Sequence, residues 1–325
     1  MNKQTSSMKR LSRAFLSKNE LGAVLPLILL LVVVACINPN FFAPRNLLDI
    51  LRTAAFSFIV AIPLTFLLSS QGMDLSVGAV TSLGGVVCAM ALKAGVPLPV
   101  AILLALGAGA IAGAVNGVLI IYSNLPPFIA TMGTQYAFNG FIAIITQNLA
   151  ISNFESSFKV ISQYKLFDLI PMPILYAIIL GILAQILLTQ TRFGREILAI
   201  GGNRETAYLA GIPVNKRRFI AYVATSVFAA LAGILIASRF ASAQPAAGSG
   251  TELSIMAGVI IGGTSMFGGQ GTVVGSALGC ILLATITNAL ILMNVSTLWE
   301  KLIYGMILII ALYVDKYRRK VLSGE

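Results

Sequence analysis

Few side chains of this sequence could do chemistry, and those few are poorly suited to catalysis. The 325 residues include no histidine, so the usual general base and the commonest metal ligand are missing. Cys36, Cys88 and Cys280 lie far apart in apolar segments, which is typical of small buried hydrophobes and not of a disulfide or metal site. No Gly-x-x-x-x-Gly-Lys-Ser/Thr phosphate loop occurs, and Ser156-x-x-Lys159 lacks the companion motifs of a hydrolase. We therefore expect no enzymatic activity, no cofactor and no metal.

The informative side chains are polar ones inside apolar runs. Asp74 is the only acid deep in the first apolar half of the chain. A charge at the bilayer centre costs roughly 2.5–3.5 kcal/mol, so we expect Asp74 to cap a helix start or to line a transport path. The amides Asn116, Asn139 and Asn288 have two interpretations, namely hydrogen bonds between helices or a polar path.

The longest polar interruption, Thr191 to Arg218, carries six basic and two acidic residues and separates two apolar halves. We predict two short helices split at Gly201-Gly202, with Asn203 as the N-cap of the second and Gly211 at its stop. Tyr208, Leu209 and Ile212 would share an apolar face that requires a partner outside the bilayer. The alternative is an ordinary basic loop.

The composition places these features in a membrane protein. Hydrophobic residues make up 58% of the chain and charged residues 10%, whereas a soluble domain has about 25% charged residues. We predict one all-α, polytopic domain over 1–325. Its ten predicted spans are 21–37, 50–69, 76–94, 98–121, 128–147, 172–189, 219–238, 254–267, 273–293 and 302–314.

Basic residues predict how the chain is oriented. They concentrate in the tail 1–20, the loop 191–218 and the tail 316–325, and an even number of predicted spans separates these segments. The positive-inside rule then places all three in the cytoplasm and the loop 148–171 outside. The same distribution accounts for the net charge of +11 without nucleic acid.

The two halves share a short internal echo. Gly72-Met-Asp74-Leu-Ser76 and Gly250-Thr-Glu252-Leu-Ser254 each precede a glycine-rich apolar run. The two copies are five predicted spans apart, and an odd offset reverses the orientation in the membrane, so the halves would be inverted repeats. A chance match of five residues explains the echo equally well. Glu252 and Arg239 flank a Pro/Gly/Ser-rich segment and are either contacts for an external partner or solvated loop charges. Glycines spaced by four predict close helix packing; they are Gly109, Gly113, Gly117, Gly271, Gly275 and Gly279.

Five stretches resemble the permease subunits of bacterial ABC importers for monosaccharides of the ribose, galactose, arabinose and xylose group. They are NPNFFAPRNLLDILR (38–52), GMDLSVGAV (72–80), PFIATMGT (127–134), TRFGREILAIGGNRETAYLAGIPVNK (191–216) and SAQPAAGSGTELSIMAGVIIGGTSMFGGQGTVVGSALG (242–279). They occur in the family's order and are spread along nearly the whole chain. Thr206 and Met73 stand where the family more often has Ala and Ile.

The resemblance implies a fold and a set of partners. The fold would be that of vitamin-B12-type importers, with ten helices in two inverted halves, in the bacterial cytoplasmic (inner) membrane. The partners would be a cytoplasmic ATPase subunit, a second permease subunit, an extracytoplasmic sugar-binding protein and lipid. Coupling to the ATPase would involve Gly194, Arg195, Gly201, Gly202, Asn203, Glu205, Ala207 and Gly211. The translocation path would involve Asp74, Ser76, Asn116, Phe128, Thr131, Asn139, Glu252 and Asn288.

A different class of function also fits a polytopic chain. A secondary transporter of a small polar solute, driven by an ion gradient, would require intramembrane carboxylates that carry protons, and Asp74 is the one candidate. A membrane enzyme would require a catalytic constellation that the sequence lacks. A neighbouring gene for an ATPase would favour the ABC permease.

Overall fold

The structure of the protein, a computed structural model, describes residues 21–296 and 298–323. This part of the chain is mostly helical, as predicted. Its helices are α1 (Leu21–Ile37), α2 (Pro44–Ser69), α3 (Val77–Lys93), α4 (Leu98–Gly117), α5 (Pro127–Thr146), α6 (Ser156–Gln163), α7 (Met172–Gln190), α8 (Arg192–Gly202), α9 (Arg204–Leu209), α10 (Val214–Phe240), α11 (Thr251–Ile261), α12 (Val273–Leu292) and α13 (Leu298–Ser323).

The apolar segments predicted as spans each fall on one of these helices. Among the described residues, α2, α4 with its π-helical extension to Tyr122, α5, α7, α10 and α12 are long and apolar enough to cross a membrane. The chain is therefore an all-α polytopic membrane protein. The apolar helices α3 and α11 are shorter, and the 11 residues of α11 extend only about 17 Å.

Several predicted boundaries differ from the structure. The span predicted over 254–267 ends at Ile261, because Gly262 and Gly263 follow and Gly263 has a φ of +96°. Helix α2 begins at Pro44 instead of residue 50, since proline suits the first position of a helix. Helix α13 continues past residue 314 to Ser323, so the described part of the predicted tail 316–325 is helical. The tail 1–20 lies outside the described residues.

Helix α10 occupies the centre of the bundle and packs against α2, α3 and α4. The predicted glycine contacts are found here and between α11 and α12, except that Gly271 lies in the loop before α12 and contacts Ser69. A Cβ atom on Gly113 would lie 2.7 Å from the carbonyl oxygen of Tyr222 in α10. A Cβ atom on Gly279 would lie 1.9 Å from the carbonyl oxygen of Gly258 in α11. The backbones are thus too close for any side chain, and the prediction of tight packing is confirmed.

The short helices α3 and α11 begin next to each other inside the bundle. The amide of Gly248, just before α11, donates to the Ser82 hydroxyl of α3 (2.9 Å). A Cβ atom on Gly248 would lie 2.0 Å from the carbonyl oxygen of Gly78. Protein surrounds most of the irregular segment 72–76, the condition under which such backbone is tolerated in membrane proteins, whereas 244–250 is packed chiefly at Gly248.

The two ends of the bundle are built differently. The end that carries α8 and α9, here the basic-loop end, also holds the loops 70–76 and 262–272. The opposite end carries α6 and four two-residue strands. Strand β1 (Ile151–Ser152) pairs with β4 (Ser242–Ala243), and β2 (Lys165–Leu166) pairs with β3 (Ile170–Pro171).

Candidate transport path and coupling segment

A buried polar network forms around Asp74. The side chain is 1% exposed, and one carboxylate oxygen accepts hydrogen bonds from the Ser76 amide (2.8 Å) and hydroxyl (2.6 Å). The Asn116 amide nitrogen of α4 donates to the Ser76 hydroxyl oxygen (2.8 Å) and approaches both carboxylate oxygens (3.4 Å). The Thr134 hydroxyl of α5 donates to the Asn116 carbonyl oxygen (2.7 Å). The network ties the segment before α3 to α4 and α5.

The segment before α3 is also attached to the central helix, α10. The Met73 amide donates to the Tyr222 hydroxyl of α10 (3.4 Å), and Tyr222 is fully buried. Neutral donors therefore surround the Asp74 carboxylate where the α3 helix begins. A hydrogen bond contributes about 0.5–1.5 kcal/mol, so the several bonds of this network together fix the position of the segment.

Glu252 occupies the corresponding place at the start of α11. It lies in the first turn of the helix, and its Oε2 atom is buried without a hydrogen-bond partner among the described residues. A Cβ atom on Gly78 would lie 2.4 Å from this oxygen, so the Glu252 carboxylate faces the first turn of α3. The two acids of the echoed motifs thus stand at the starts of two short helices that meet.

The other residues predicted for the path lie elsewhere. Asn288 of α12 exchanges two hydrogen bonds with Asn46 of α2 (2.7 and 3.0 Å), which makes it an interhelical contact outside the Asp74 network. Thr131 is buried, and its hydroxyl donates to the Pro127 carbonyl within α5. Phe128 and Asn139 are also on α5; Phe128 is exposed and Asn139 half-buried. The structure therefore brings together Asp74, Ser76 and Asn116, places Glu252 beside α3, and leaves Phe128, Asn139 and Asn288 apart from them.

The predicted pair of short helices is present in the polar loop. Helix α8 folds back on α7, because the Thr191 hydroxyl accepts from the Gly194 amide and a Cβ atom on Gly194 would lie 2.1 Å from the Leu188 carbonyl oxygen. Glu196 of α8 is buried and accepts from Arg192 (2.7 Å) and from Arg217 of α10. The Arg217 hydrogen bond, helped by Arg192, holds the pKa of Glu196 below its ordinary value. This pairing attaches α8 to the start of α10.

The break between α8 and α9 is at Asn203 and not at the glycine pair. Helix α8 continues through Gly201 and Gly202, so this part of the prediction is wrong. Gly201 is held in the helix by its contacts. A Cβ atom there would lie 1.7 Å from the Ser69 carbonyl oxygen, whereas one on Gly202 would meet nothing within 4 Å. Tertiary packing thus overrides the weak helix propensity of glycine.

The caps predicted for α9 are confirmed. The Asn203 side-chain oxygen accepts from the Thr206 amide (2.9 Å). At the other end, Gly211 has a φ of +78°, its amide donates to Tyr208, and the Ile212 amide donates to the Ala207 carbonyl (3.1 Å). This pattern is a Schellman motif, which favours glycine at that position.

The apolar face predicted for α9 is divided in the structure. Ile212 packs inward with Ile200 and Ala207, whereas the side chains of Tyr208 and Leu209 are 72% and 79% exposed. Beside them is a groove of about 700 Å³. Its lining residues are Tyr122, Arg204, Glu205, Tyr208, Ile212, Pro213, Val214, Asn215 and Lys216. Of the other predicted coupling residues, Arg195 is exposed and donates to the Gln190 carbonyl (3.3 Å).

Sequence reasoning missed four residues that complete these sites: Thr134, Tyr222, Asn46 and Gln71. Thr134 and Tyr222 are single polar groups in apolar helices, and only the packing of α5 and α10 shows that they reach the Asp74 segment. Asn46 lies between Arg45 and Asp49, so it does not stand out from a polar surrounding as Asn288 does from its apolar helix. Gln71 directly precedes the Gly72–Ser76 motif, and this adjacency was the one available signal.

A bundle of apolar helices with two short helices meeting inside it and a helical basic loop at one end is the architecture of a membrane transport protein. A family described as "Branched-chain amino acid transport system / permease component" matches residues 46–312. The chain belongs to this family and is a multi-pass protein of the inner membrane.

Three relatives illustrate the similarity. The ribose import permease protein RbsC of Bacillus subtilis (strain 168) is 35% identical over 298 residues, which are 91% of this chain and 92% of the relative. RbsC of Escherichia coli (strain K12) is 33% identical over 98% of this chain and all of the relative. The D-allose transport system permease protein AlsC of the same strain is 31% identical over 97% of each chain. No solved structure shows significant similarity to this chain.

Proposed function

We propose that this chain is the translocating subunit of an ABC importer for a monosaccharide, with a ribose-like sugar favoured. The observation that carries this proposal is the similarity to ribose import permeases over at least nine-tenths of the chain. In this reading a partner ATPase hydrolyses ATP, and an extracytoplasmic binding protein delivers the sugar. The same similarity to import permeases disfavours the ion-driven alternative.

We also propose that the whole chain, 1–325, is one domain with ten membrane helices in two inverted halves, similar to vitamin-B12-type importers. The short helices α3 and α11 support this arrangement. One copy of the echoed motif directly precedes α3, the other forms the start of α11, and the two helices meet at their N-terminal ends. Such discontinuous helices are a feature of transporters with inverted repeats. The basic-loop end is cytoplasmic in this proposal, and 148–171 is outside.

Within this arrangement the two acids have different roles. The Asp74 network holds the segment before α3 in place, because each of its polar groups has a partner. The Glu252 Oε2 atom has none, so it can accept a hydrogen bond from a sugar hydroxyl that passes between the two halves. Phe128 and Asn139 belong to α5, whose exposed apolar face fits a second permease subunit or lipid.

The binding protein would dock at the opposite end. Arg239 lies over the rings of Phe56 (5.5 Å) and Phe240 (5.1 Å). Arg52 and Asp49 are both close enough to Arg239 to interact with it electrostatically. Two guanidinium groups beside a single carboxylate leave this cluster positive, which would favour carboxylates on the binding protein.

The ATPase would dock on α9. Tyr208 and Leu209 are exposed at an end that lipid tails do not cover, and Glu205 lines the groove beside them. Tyrosine is one of the residue types enriched at binding hot spots, which makes Tyr208 the anchor expected here. Gly194, Gly201 and Ala207 are buried beneath this surface, and the exposed members of the set are Arg195, Gly202, Asn203, Glu205 and Gly211.

The test uses the complete importer, purified through a tag on the permease. We expect Glu205→Lys and Leu209→Asp to reduce the amount of ATPase that co-purifies, with normal insertion of the permease. Glu155→Lys, which changes an exposed acid in the outside loop, serves as the matched control. Wild-type recovery of the ATPase with both α9 variants would show that α9 is only a tether.

A further inference from the structure

Three segments of the chain meet at one point of the basic-loop end. They are the last residues of α8, the turn after α2, and the loop between α11 and α12. The Gln71 side-chain nitrogen donates to the carbonyl oxygens of Gly201 (2.9 Å) and Phe267 (3.0 Å), so one amide bridges two of the segments from the third. The Gly269 amide adds a hydrogen bond to the Ser69 carbonyl (2.9 Å).

The backbones at this junction are in direct contact. A Cβ atom on Gly201 would lie 1.7 Å from the Ser69 oxygen and 2.4 Å from the Gly269 nitrogen. A Cβ atom on Gly268 would lie 2.7 Å from the Gly201 oxygen. Packed backbones without intervening side chains cannot slide past one another without breaking these hydrogen bonds. The three segments therefore move as one unit while the junction is intact.

Gln71 adopts an unusual conformation in order to make this bridge. Its φ of +60° lies in the left-handed region, which is uncommon for residues other than glycine, asparagine and aspartate. An observed backbone outlier of this kind is a reason to look for a function. Here the conformation places the side-chain amide between two carbonyl oxygens that belong to different parts of the chain.

Each segment at the junction leads to a different functional part. Gly201 is one residue from the end of α8, which precedes the proposed docking helix α9. Gln71 is three residues before Asp74 and six before the start of α3. Phe267 follows α11, and the same loop leads into α12. A displacement of α8 therefore reaches both short helices through one point.

We propose that this junction is the joint that transmits movement of the ATPase-docking segment to both halves of the path at once, with Gln71 as its positioning residue. The proposal rests on the proposed function, because it requires α8 and α9 to move with an ATPase. It goes further by assigning the joint between the coupling segment and the two short helices. As a consequence, α3 and α11 shift at the same time and not one after the other.

Two substitutions at Gln71 separate the bridge from the backbone conformation. Gln71→Gly removes the amide and permits the positive φ without strain. Gln71→Asn keeps an amide and tolerates the positive φ, but its side chain is one methylene too short to reach both carbonyl oxygens. Gln163→Ala is the matched control, because the Gln163 side-chain nitrogen also donates to two carbonyls, those of Ser238 (3.3 Å) and Arg239 (3.0 Å). Those two carbonyls belong to one helix at the opposite end, so this glutamine joins no moving segments.

The measurement is amide hydrogen exchange in the permease–ATPase complex in lipid nanodiscs, with and without ADP–vanadate trapped in the ATPase. In the wild type and in Gln163→Ala we expect trapping to change exchange in 192–209, 70–76 and 262–271 together, by about threefold or more. In Gln71→Gly and Gln71→Asn we expect 192–209 to respond as before and the two loops to lose their response. This readout needs no knowledge of the sugar.

Each outcome has a distinct meaning. If both loops of the Gln71 variants respond to trapping as they do in the wild type, the proposed joint is refuted. It is also refuted if, in the wild-type complex, 192–209 responds to trapping and the two loops do not. An unchanged 192–209 in the wild type would instead contradict the docking of an ATPase on this segment, and with it the proposed function.

Discussion

Gly201 and Gly202 offer a matched pair of substitutions within one helix. In Gly201→Ala the new methyl group would lie 1.7 Å from the Ser69 carbonyl oxygen, where ordinary contacts begin at 3.4 Å. The backbones of α8 and the Ser69 segment must therefore separate by about 1.7 Å, which breaks the hydrogen bond from the Gln71 side chain to the Gly201 carbonyl oxygen. In Gly202→Ala the methyl group meets nothing within 4 Å.

The magnitudes follow from these contacts. Overpacking costs about 1–3 kcal/mol, and the lost hydrogen bond about 1 kcal/mol more. Against this, alanine is favoured over glycine in a helix by at most about 1 kcal/mol. We expect Gly201→Ala to lower the free energy of unfolding by about 1–3 kcal/mol and Gly202→Ala to leave it unchanged or slightly raised.

The assay is thermal unfolding of the purified permease in detergent, together with ATP-driven sugar uptake by the reconstituted importer. A shift of about 2–4 °C per kcal/mol in melting temperature makes the difference between the two variants measurable. We expect loss of uptake with Gly201→Ala and normal uptake with Gly202→Ala. Equal melting temperatures for the two variants would refute the packing argument at this junction.

Three further predictions concern Asp74, Glu196 and the orientation of the chain. Asp74→Ala should reduce folded yield or uptake much more than Asp168→Ala, because it leaves the Ser76 amide and hydroxyl buried without their acceptor at about 1–3 kcal/mol each; equal effects would contradict this. The lowered pKa of Glu196 means that its ion pairs stabilise the fold above the ordinary pKa of 4.5, and that this contribution is lost as the pH falls through the folded-state pKa. The melting temperature of Glu196→Gln should therefore fall less than that of the wild type on acidification below about pH 4, and parallel curves would count against the pairing. In intact cells an impermeant maleimide should label Ser157→Cys and not Gly202→Cys, and the reverse pattern would invert the proposed topology.

Local chemistry was enough to predict some elements of the structure. The hydropathy of each apolar segment identified its helix, since bilayer-length runs admit few other structures. Asn203 and Gly211 were correctly assigned as caps, because the requirements of a helix start and stop are met by nearest neighbours in the sequence. The helix α6 was missed. It has only eight residues, and its docking depends on Ser162, whose hydroxyl donates to the distant Leu235 carbonyl (2.8 Å).

The remaining features depend on contacts that sequence patterns do not contain. Nothing in the sequence distinguishes Asn116, which joins the Asp74 network, from Asn288, which pairs with Asn46. The glycine pair at 201–202 predicts a helix break by propensity alone, and the structure keeps the helix because Gly201 packs on Ser69. Gln71 and Gly201 are 130 positions apart, and only the topology of the bundle brings them into contact.

The central claim, that this chain carries a monosaccharide through the membrane when an ATPase drives it, is tested most directly by reconstitution. The permease, its ATPase and its binding protein are placed in proteoliposomes, and uptake of radiolabelled ribose is followed with and without ATP. We expect accumulation that requires ATP and all three proteins and that persists when ion gradients are dissipated. Uptake without the ATPase that stops when the gradients are dissipated would contradict the account and identify an ion-driven transporter.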